Sequence, residues 1–393
     1  MRFITAVTAG RSDWGIYRPV LKRIQSDPEL SLRVIATGAH LDEADGDTIG
    51  DIRRDGFNID DTIDMLLRSD SSVATSKAMG LGAIGFADAY QRNRPDVLLV
   101  LGDRFEMMTA VLAAVPFGIP IAHIHGGEVT HGAIDDAFRH AMTKCSHLHF
   151  ASTQQHADRI VQLGEEPWRV HVSGAPSMDN LRHVPLLSRQ ELAESLQLNL
   201  DDDPLLVTFH PVTLQQDDTP EQIDEFVAAL APLTMPMVIT RPNADPRHAS
   251  ITDCLEEFDR SRDNVRLLGS LGTQRYFSLM KYGCAMAGNS SSGIIEAGFF
   301  GLPVVNVGIR QSGRPRSRNV IDVLCERRAI FEAIAHACSP GFRELARQTQ
   351  SIYGDGSAAE TIVNRIKSIE LNEKLIVKLF HDIPPHGSSA VAA

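Results

Sequence analysis

A chain of 393 residues is too long for one ordinary hydrophobic core and fits two domains, which makes a cleft the expected place for a ligand. Its formal charge of -12 speaks against a nucleic-acid binder, because wrapping phosphates needs a basic face. Cys145, Cys254, Cys284, Cys325 and Cys338 are scattered singly, so neither a disulfide framework nor a structural zinc site is indicated, and they read as reduced core thiols. The start, "MRFITAVTAGRSDWG", lacks the basic-then-apolar signal pattern, and no apolar run reaches the roughly 18 residues of a membrane span. A soluble, cytoplasmic protein with no membrane partner is expected.

Short apolar runs end repeatedly in Gly, Asp, His or Ser and give way to helix-length amphipathic segments, the pattern of alternating βα units. In chain order they are "FITAVTAG", "LRVIATGAH", "DVLLVLGD" and "PIAHIHGG", then "LLVTFHP", "PMVITRP", "VRLLGS", "CAMAGNS" and "PVVNVG". Two such series predict an α/β protein of two Rossmann-like, doubly wound domains. The boundary is expected near residues 183–190, where "RHVPLLSRQELAESL" passes from a Pro-containing connector into a helix opened by a Ser188/Glu191 capping box. Domains of 1–186 and 187–366 follow, with a C-terminal segment 367–393 whose last stretch, "PPHGSSAVAA", is expected to be disordered.

In an open parallel sheet ligands bind beyond the carboxyl ends of the strands, so the residues after each run are the candidates. Arg11 follows the first run, where its guanidinium could fork onto a phosphate or carboxylate or simply stand on the surface at a helix start. Gly10 and Gly15 are spaced like a Walker loop, but no Lys-Ser/Thr follows and Gly-x-Gly-x-x-Gly is absent. Asp103 stands at the end of "VLLVL", as a base, a metal ligand or the cap of the next helix, with Arg104 beside it. In "IAHIHGGEVTHGAIDDAFRH", His123 and His125 alternate on a strand and should point the same way, as His-x-His zinc ligands would. Ile134, Phe138, Ala141, Met142 and Cys145 mark one face of the helix that follows, and Asp135 and Asp136 fall in its first turn, where they also complement the helix dipole. In "AMAGNSSSGIIEAGFFGLPVVNVGIRQSGRPR" a strand ends in Gly288-Asn289 before a serine cluster and a helix. Hydroxyls and backbone amides there suit phosphates at Ser290, Ser291 and Arg310, leaving Glu296 to grip ribose hydroxyls; the other reading is a serine-capped helix.

Taken together, "GRSDWGIYRPVL", "LGDRFE", "HIHGGEVTHGAIDD" with "FRHAMTKCSHLHF", "FHPVT", "GNSSSGIIEA", "NVGIRQSGR" and "LFHDIP" resemble the hydrolysing UDP-N-acetylglucosamine 2-epimerases of bacterial sialic acid synthesis. They also resemble the epimerase half of the bifunctional animal enzyme, and the matches run in order over nearly the whole chain. The resemblance implies a GT-B arrangement and a reaction in which UDP-N-acetylglucosamine and water give N-acetylmannosamine and UDP through a 2-acetamidoglucal. C1–O cleavage must lead, so most stabilisation is aimed at the departing diphosphate, after which a carboxylate takes the C2 proton and acid/base groups hydrate C1. By resemblance, Asp103 and Asp135 match catalytic acids and His210 a histidine near the diphosphate. Ser290, Ser291 and Arg310 match phosphate binders and Glu296 a ribose binder. Asn243 and the Leu271 backbone match residues near the nucleotide, and Arg11 and Arg104 substrate-side arginines.

One departure bears on the chemistry. Some relatives, the animal enzyme among them, carry a catalytic glutamate where His125 stands, so either His125 or Glu128 is expected to supply that function. Neither a cofactor nor a metal is required by the mechanism; the expected partner is a nucleotide sugar, and the family suggests a homodimer or homotetramer. The same chemistry on UDP-2,4-diacetamido-2,4,6-trideoxyglucose or a GDP-linked amino sugar is the alternative, with a GT-B glycosyltransferase as the reading of another class.

Overall fold

The computed structural model describes residues 1–42, 48–69, 71–130, 134–212, 218–242, 248–269 and 271–383. Its first sheet contains β1 (Arg2–Thr8), β2 (Leu30–Thr37), β3 (Asp61–Ile63), β4 (Val97–Leu101), β5 (Ile121–Ile124), β6 (Leu148–Ala151) and β7 (Val170–Val172), ordered β3-β2-β1-β4-β5-β6-β7. The second contains β8 (Leu205–Thr208), β9 (Met237–Thr240), β10 (Val265–Leu268), β11 (Ala285–Gly288), β12 (Val304–Val307) and β13 (Val320–Val323), ordered β10-β9-β8-β11-β12-β13. The strands of each sheet pair in parallel. Helices cover both faces of such a sheet, which is why "VLLVL" of β4 is buried at every position rather than alternating. Both strand orders reverse at the first strand, so each sheet has a switch point, at β1/β4 and at β8/β11, where its strand ends open outward. Every apolar run singled out in the sequence forms a strand. The four that were not, β3, β6, β7 and β13, are only three or four residues long and broken by polar side chains.

The chain divides into a first unit, residues 1–180 with 356–393, and a second unit, Leu181–Asp355. The Ser188/Glu191 capping box forms as expected, but the division differs from domains ending at 186 and 366. Helix Ala358–Ser368, expected in the second domain, belongs to the first because Ala359, Ile362, Val363 and Ile366 are buried in its core. Asp179 accepts from the Ala358 amide at 3.1 Å at the start of that helix. The expected disordered stretch, 384–393, lies outside the described residues. All five cysteines are free thiols, with Cys284 buried and the others half-buried. Among the described residues, no helix is long and apolar enough to cross a membrane.

After that helix, the chain straps across the first unit. Arg169, fully buried, donates to the carbonyls of Leu375, Lys374 and Val377 at 2.7, 2.9 and 3.0 Å, and the His381 amide donates to Gly164 O at 2.9 Å. Lys378 donates to the carbonyls of Lys144 and Ser146 at 2.7 and 2.6 Å, where helix Ile134–Cys145 ends. Its ammonium also meets Glu165 at 2.8 Å, and the same buried carboxylate receives Lys144 at 2.6 Å and His149 at 2.9 Å. Burial pushes the Glu165 carboxyl up, but His149 and the two lysines outweigh it and hold it at about 2. A carboxylate depressed in the fold stabilises it above the unfolded value and loses that contribution as pH falls through the folded one. Stability measured by urea titration is therefore expected to drop between about pH 4.5 and pH 2. Glu165→Gln should remove part of that slope and cost roughly 3–5 kcal/mol at neutral pH, because it leaves the largely buried Lys378 ammonium without its anion.

Candidate active site

In the first unit the segments after β1, β2, β4, β5 and β6 bring polar groups to one sheet edge. Gly102, at φ +73°, turns the chain out of β4 and is followed by Asp103 and Arg104. Asp103 is ion-paired with Arg139, a buried residue on helix Ile134–Cys145. Arg139 also donates to Thr130 Oγ1 and to the His125 carbonyl, each at 3.2 Å, and pairs with Glu128 Oε2 at 3.3 Å. Burial raises the Asp103 carboxyl, Arg139 opposes that rise, and Asp135 and Glu128 add to it; the net shift is upward. Asp135 sits in the first turn of the same helix, close enough to act on both Asp103 and Arg104. Of the face assigned to this helix, Met142 is buried and Phe138, Ala141 and Cys145 pack on the core. Ile134 is 69% exposed, because it is the first residue of the helix and precedes the turns that pack.

Arg104 forks onto Glu106 at 2.9 and 3.2 Å. Burial works against its charge, yet Glu106, Asp13 and Asp135 more than offset that and its pKa rises. Asp13, buried on helix Arg11–Ser26, accepts from the Ala9 amide at 3.2 Å. Burial raises it to about 6 against the pull of Arg104. His40 bridges Thr8 Oγ1 and Thr48 Oγ1, both at 2.9 Å, and burial with Arg104 lowers it to about 4. Arg11 opens its helix exposed to solvent.

The two histidines after Ala122 part company. His123 is buried, with Nε2 2.8 Å from Gly102 O and Nδ1 3.4 Å from Thr143 Oγ1, and burial lowers it to about 3: a core histidine satisfied by its neighbours. His125 has φ +65°, so the strand alternation stops there and the expected His-x-His face does not form. Its Nδ1 lies 2.6 Å from Glu128 Oε1. Gly127 takes φ +76° in the same turn, and a Cβ there would fall 2.2 Å from His156 O, so only glycine fits.

In the second unit β11 ends at Gly288, φ +133°, where a Cβ would lie 1.9 Å from Thr208 O. That approach lets Asn289 brace the neighbouring strand end: its Oδ1 accepts from the His210 amide at 2.7 Å and its Nδ2 donates to His210 O at 2.8 Å. Arg310 and Gln311, after β12, donate to Asn289 O at 3.2 and 2.9 Å. Ser290 caps the short helix Ser291–Ile295 through the Ser292 amide, so part of the serine-cap reading holds as well. Glu296 and Leu271 line a pocket of about 370 Å³ with Thr240, Gly272, Thr273, Tyr276, Phe277 and Ser292. Burial raises the carboxyl of Glu296, which Ser292 and Arg314 partly oppose. Burial also raises the Tyr276 hydroxyl, which hydrogen-bonds with Ser292, Thr208 and Ser290. Asn243 lies outside the described residues.

Each unit thus gathers its own sequence candidates: Asp103, Arg104, His125, Glu128 and Asp135 in the first, with Arg11 at the start of the helix that carries Asp13; His210, Ser290, Arg310, Leu271 and Glu296 in the second. Arg139, Asp13, His40 and Ser152, whose hydroxyl donates to Glu128 Oε1 at 2.8 Å, in the first unit and Tyr276, Thr240 and Gln311 in the second were not singled out. Arg139 had a signal, since it follows Asp135 by four residues and so shares its helix face.

A family model described as UDP-N-acetylglucosamine 2-epimerase matches residues 22–367. The chain is 39% identical over 323 residues, 82% of its length and 84% of the relative's, to the GDP/UDP-N,N'-diacetylbacillosamine 2-epimerase (hydrolyzing) of Campylobacter jejuni. It is 33% identical over 378 residues, 96% of its length and 99% of the relative's, to the UDP-N,N'-diacetylbacillosamine 2-epimerase (hydrolyzing) of Legionella pneumophila. With polysialic acid biosynthesis protein P7 of Escherichia coli it shares 34% identity over 386 residues, 98% of each chain. The solved structure of UDP-GlcNAc 2-epimerase from Neisseria meningitidis bound to UDP-GlcNAc has the same fold, with a TM-score of 0.75 at 20% identity over 94% of this chain and all of that one. With the family model spanning most of its length and relatives above 30% identity over nearly all of it, the chain belongs to the UDP-N-acetylglucosamine 2-epimerase family.

Proposed function

We propose that the protein is a hydrolysing 2-epimerase of a nucleotide-linked 2-acetamido sugar, serving nonulosonic acid synthesis. UDP-N-acetylglucosamine and water would give N-acetylmannosamine and UDP. The observation that carries this reading is the first unit's sheet edge, where Asp103 and Glu128 share the Arg139 guanidinium yet burial raises the one carboxyl while His125, Arg139 and His156 lower the other, with Asp135 close by. A reaction that removes a proton from C2 and returns one on the other face needs acid and base forms side by side. In the second unit, Ser290, Ser291, Arg310 and His210 take the diphosphate, on which charge gathers as C1–O breaks. Glu296 takes the ribose hydroxyls, and Leu271 and Asn243 the rest of the nucleoside. Asp103 and Asp135 act as acid/base groups on the ring, with Arg11 and Arg104 facing the substrate.

A second reading keeps the chemistry and changes the sugar to UDP- or GDP-linked 2,4-diacetamido-2,4,6-trideoxyglucose. The relatives at 39% and 33% identity, both named for diacetylbacillosamine, favour it. We also propose a homodimer or homotetramer, to be read by light scattering.

Turnover in heavy water across these nucleotide sugars tests both readings. Release of the nucleoside diphosphate with a free 2-epimer carrying deuterium at C2 is expected, and release with C2 hydrogen retained would sink the epimerase assignment. Asp103→Asn should lower kcat by about 10²–10⁴-fold. Arg139→Met should move the Asp103 titration, followed by carboxyl-carbon NMR, to higher pH, because it removes the cation that opposes burial.

A further inference from the structure

The tail motif "LFHDIP" is used at neither strand-end edge described above, yet the chain around its start is held at many points. Arg169 donates to the Val377 carbonyl at 3.0 Å and the His381 amide donates to Gly164 O at 2.9 Å, so the backbone is pinned on both sides of Lys378. The Phe380 ring sits against Gly164, where a Cβ would fall 2.5 Å from it, and its centre lies 5.0 Å from the Lys144 ammonium. Lys378 places its three ammonium hydrogens on Lys144 O at 2.7 Å, Ser146 O at 2.6 Å and Glu165 Oε2 at 2.8 Å.

Those two carbonyls close the helix that carries Asp135 and Arg139. The last carbonyls of a helix have no partner within it. Here Thr143 Oγ1 donates to Arg139 O at 3.0 Å, Ser146 Oγ to Met142 O at 2.7 Å and the Ser146 amide to Thr143 O at 3.1 Å, while Lys144 O and Ser146 O go to the strap. A cation at this end also suits the helix dipole. The opposite end offers less hold. None of residues 134–138 is buried, and the buried residues of the helix are Arg139, Met142 and Thr143. The helix is thus placed from its C-terminal half. Arg139 lies only five residues before Lys144, roughly 7.5 Å along the axis at about 1.5 Å per residue.

We propose that Lys378 is a positioning residue for the acid/base edge: by gripping the end of helix Ile134–Cys145 it sets the reach of Arg139 to Asp103 and Glu128. Its effect on turnover rests on the epimerase reading above; its effect on Asp103 does not. Asp103 feels Arg139, Asp135, Glu128 and Asp13, and of these Arg139 is the cation that opposes burial. A helix end released from the strap loosens that guanidinium, and the Asp103 carboxyl then holds its proton to higher pH. The strap is in this way part of the site's geometry without touching a substrate.

The test uses Lys378→Met, which keeps the apolar stem and leaves Glu165 with Lys144 and His149, checked for folding by thermal unfolding. It should lower kcat about 2–30-fold with KM little changed, because the groups proposed to hold the nucleotide lie in the second unit. It should also move the Asp103 titration, followed by carboxyl-carbon NMR, to higher pH. Lys144→Met removes the other ammonium on Glu165 but neither carbonyl contact, and should leave both readouts near wild type. Lys378→Arg keeps donors and charge at the helix end and should fall between wild type and Lys378→Met. Wild-type kcat and Asp103 titration in Lys378→Met, or an equal change in Lys144→Met, would overturn the proposal. If Lys378→Met does not fold, Lys378→Arg is set against Lys144→Met: a larger Asp103 shift in Lys378→Arg supports the proposal, and an equal or smaller one overturns it. Wild-type enzyme that turns over none of the nucleotide sugars named above would overturn the epimerase reading, while the Asp103 titration still tests Lys378.

Discussion

The first unit depends on a guanidinium placed among carboxylates. Asp103, Glu128 and Asp135 crowd one strand-end edge, and without a cation between them burial and mutual repulsion would protonate the group or open the edge. Arg139 reaches Asp103, Glu128, Thr130 and the His125 carbonyl from a single helix position. Its two carboxylates do not respond alike. Glu128, which also receives His125 and Ser152, stays ionised, whereas burial still lifts Asp103. One cation shared unevenly keeps an anion and a more basic carboxyl within the same few residues. Arg104 with Glu106 and Asp13 repeats the device at the neighbouring strand end.

The second unit solves a different electrostatic problem, with hydrogen-bond donors and one guanidinium in place of clustered carboxylates. Gly288 allows β11 to press against β8, and Asn289 fastens the two strand ends through both backbone groups of His210. Arg310 and Gln311 close on the Asn289 carbonyl, so amides and a guanidinium are oriented by the protein's own hydrogen bonds. Preorganisation of that kind is what a site needs when charge develops late, on a leaving group.

The strands that positioned these sites were legible because fully buried parallel strands leave continuous apolar runs, as "VLLVL" and "LLVT" do. Short strands with a histidine or aspartate inside, such as "LHFA" and "VIDV", carry no such run and were not recognised. Residues that directly follow a run, Asp103 and Ser290 among them, were legible for the same reason. Asp13 and Tyr276 were not: each lies within an amphipathic helix, where periodicity tells which face is buried but not that a charge or hydroxyl on it faces a site; Arg139 could be found only through Asp135, one turn before it on the same helix. His125 misled through strand alternation, since a positive φ cannot be read from a histidine codeword. The domain limits failed where helix Ala358–Ser368 returned to the first unit, a long-range packing choice that local pattern does not encode.

That return has a consequence for how the protein is made. The second unit, Leu181–Asp355, is contiguous in the chain, while the first is assembled from residues on either side of it. During synthesis the first unit's sheet emerges early but lacks Ile362, Val363, Ile366 and the Lys378 contacts at the end of the Arg139 helix. The later-born half can complete its core on the ribosome first, whereas the helix that carries Arg139 gains its Lys378 contacts only after the second unit has been synthesised.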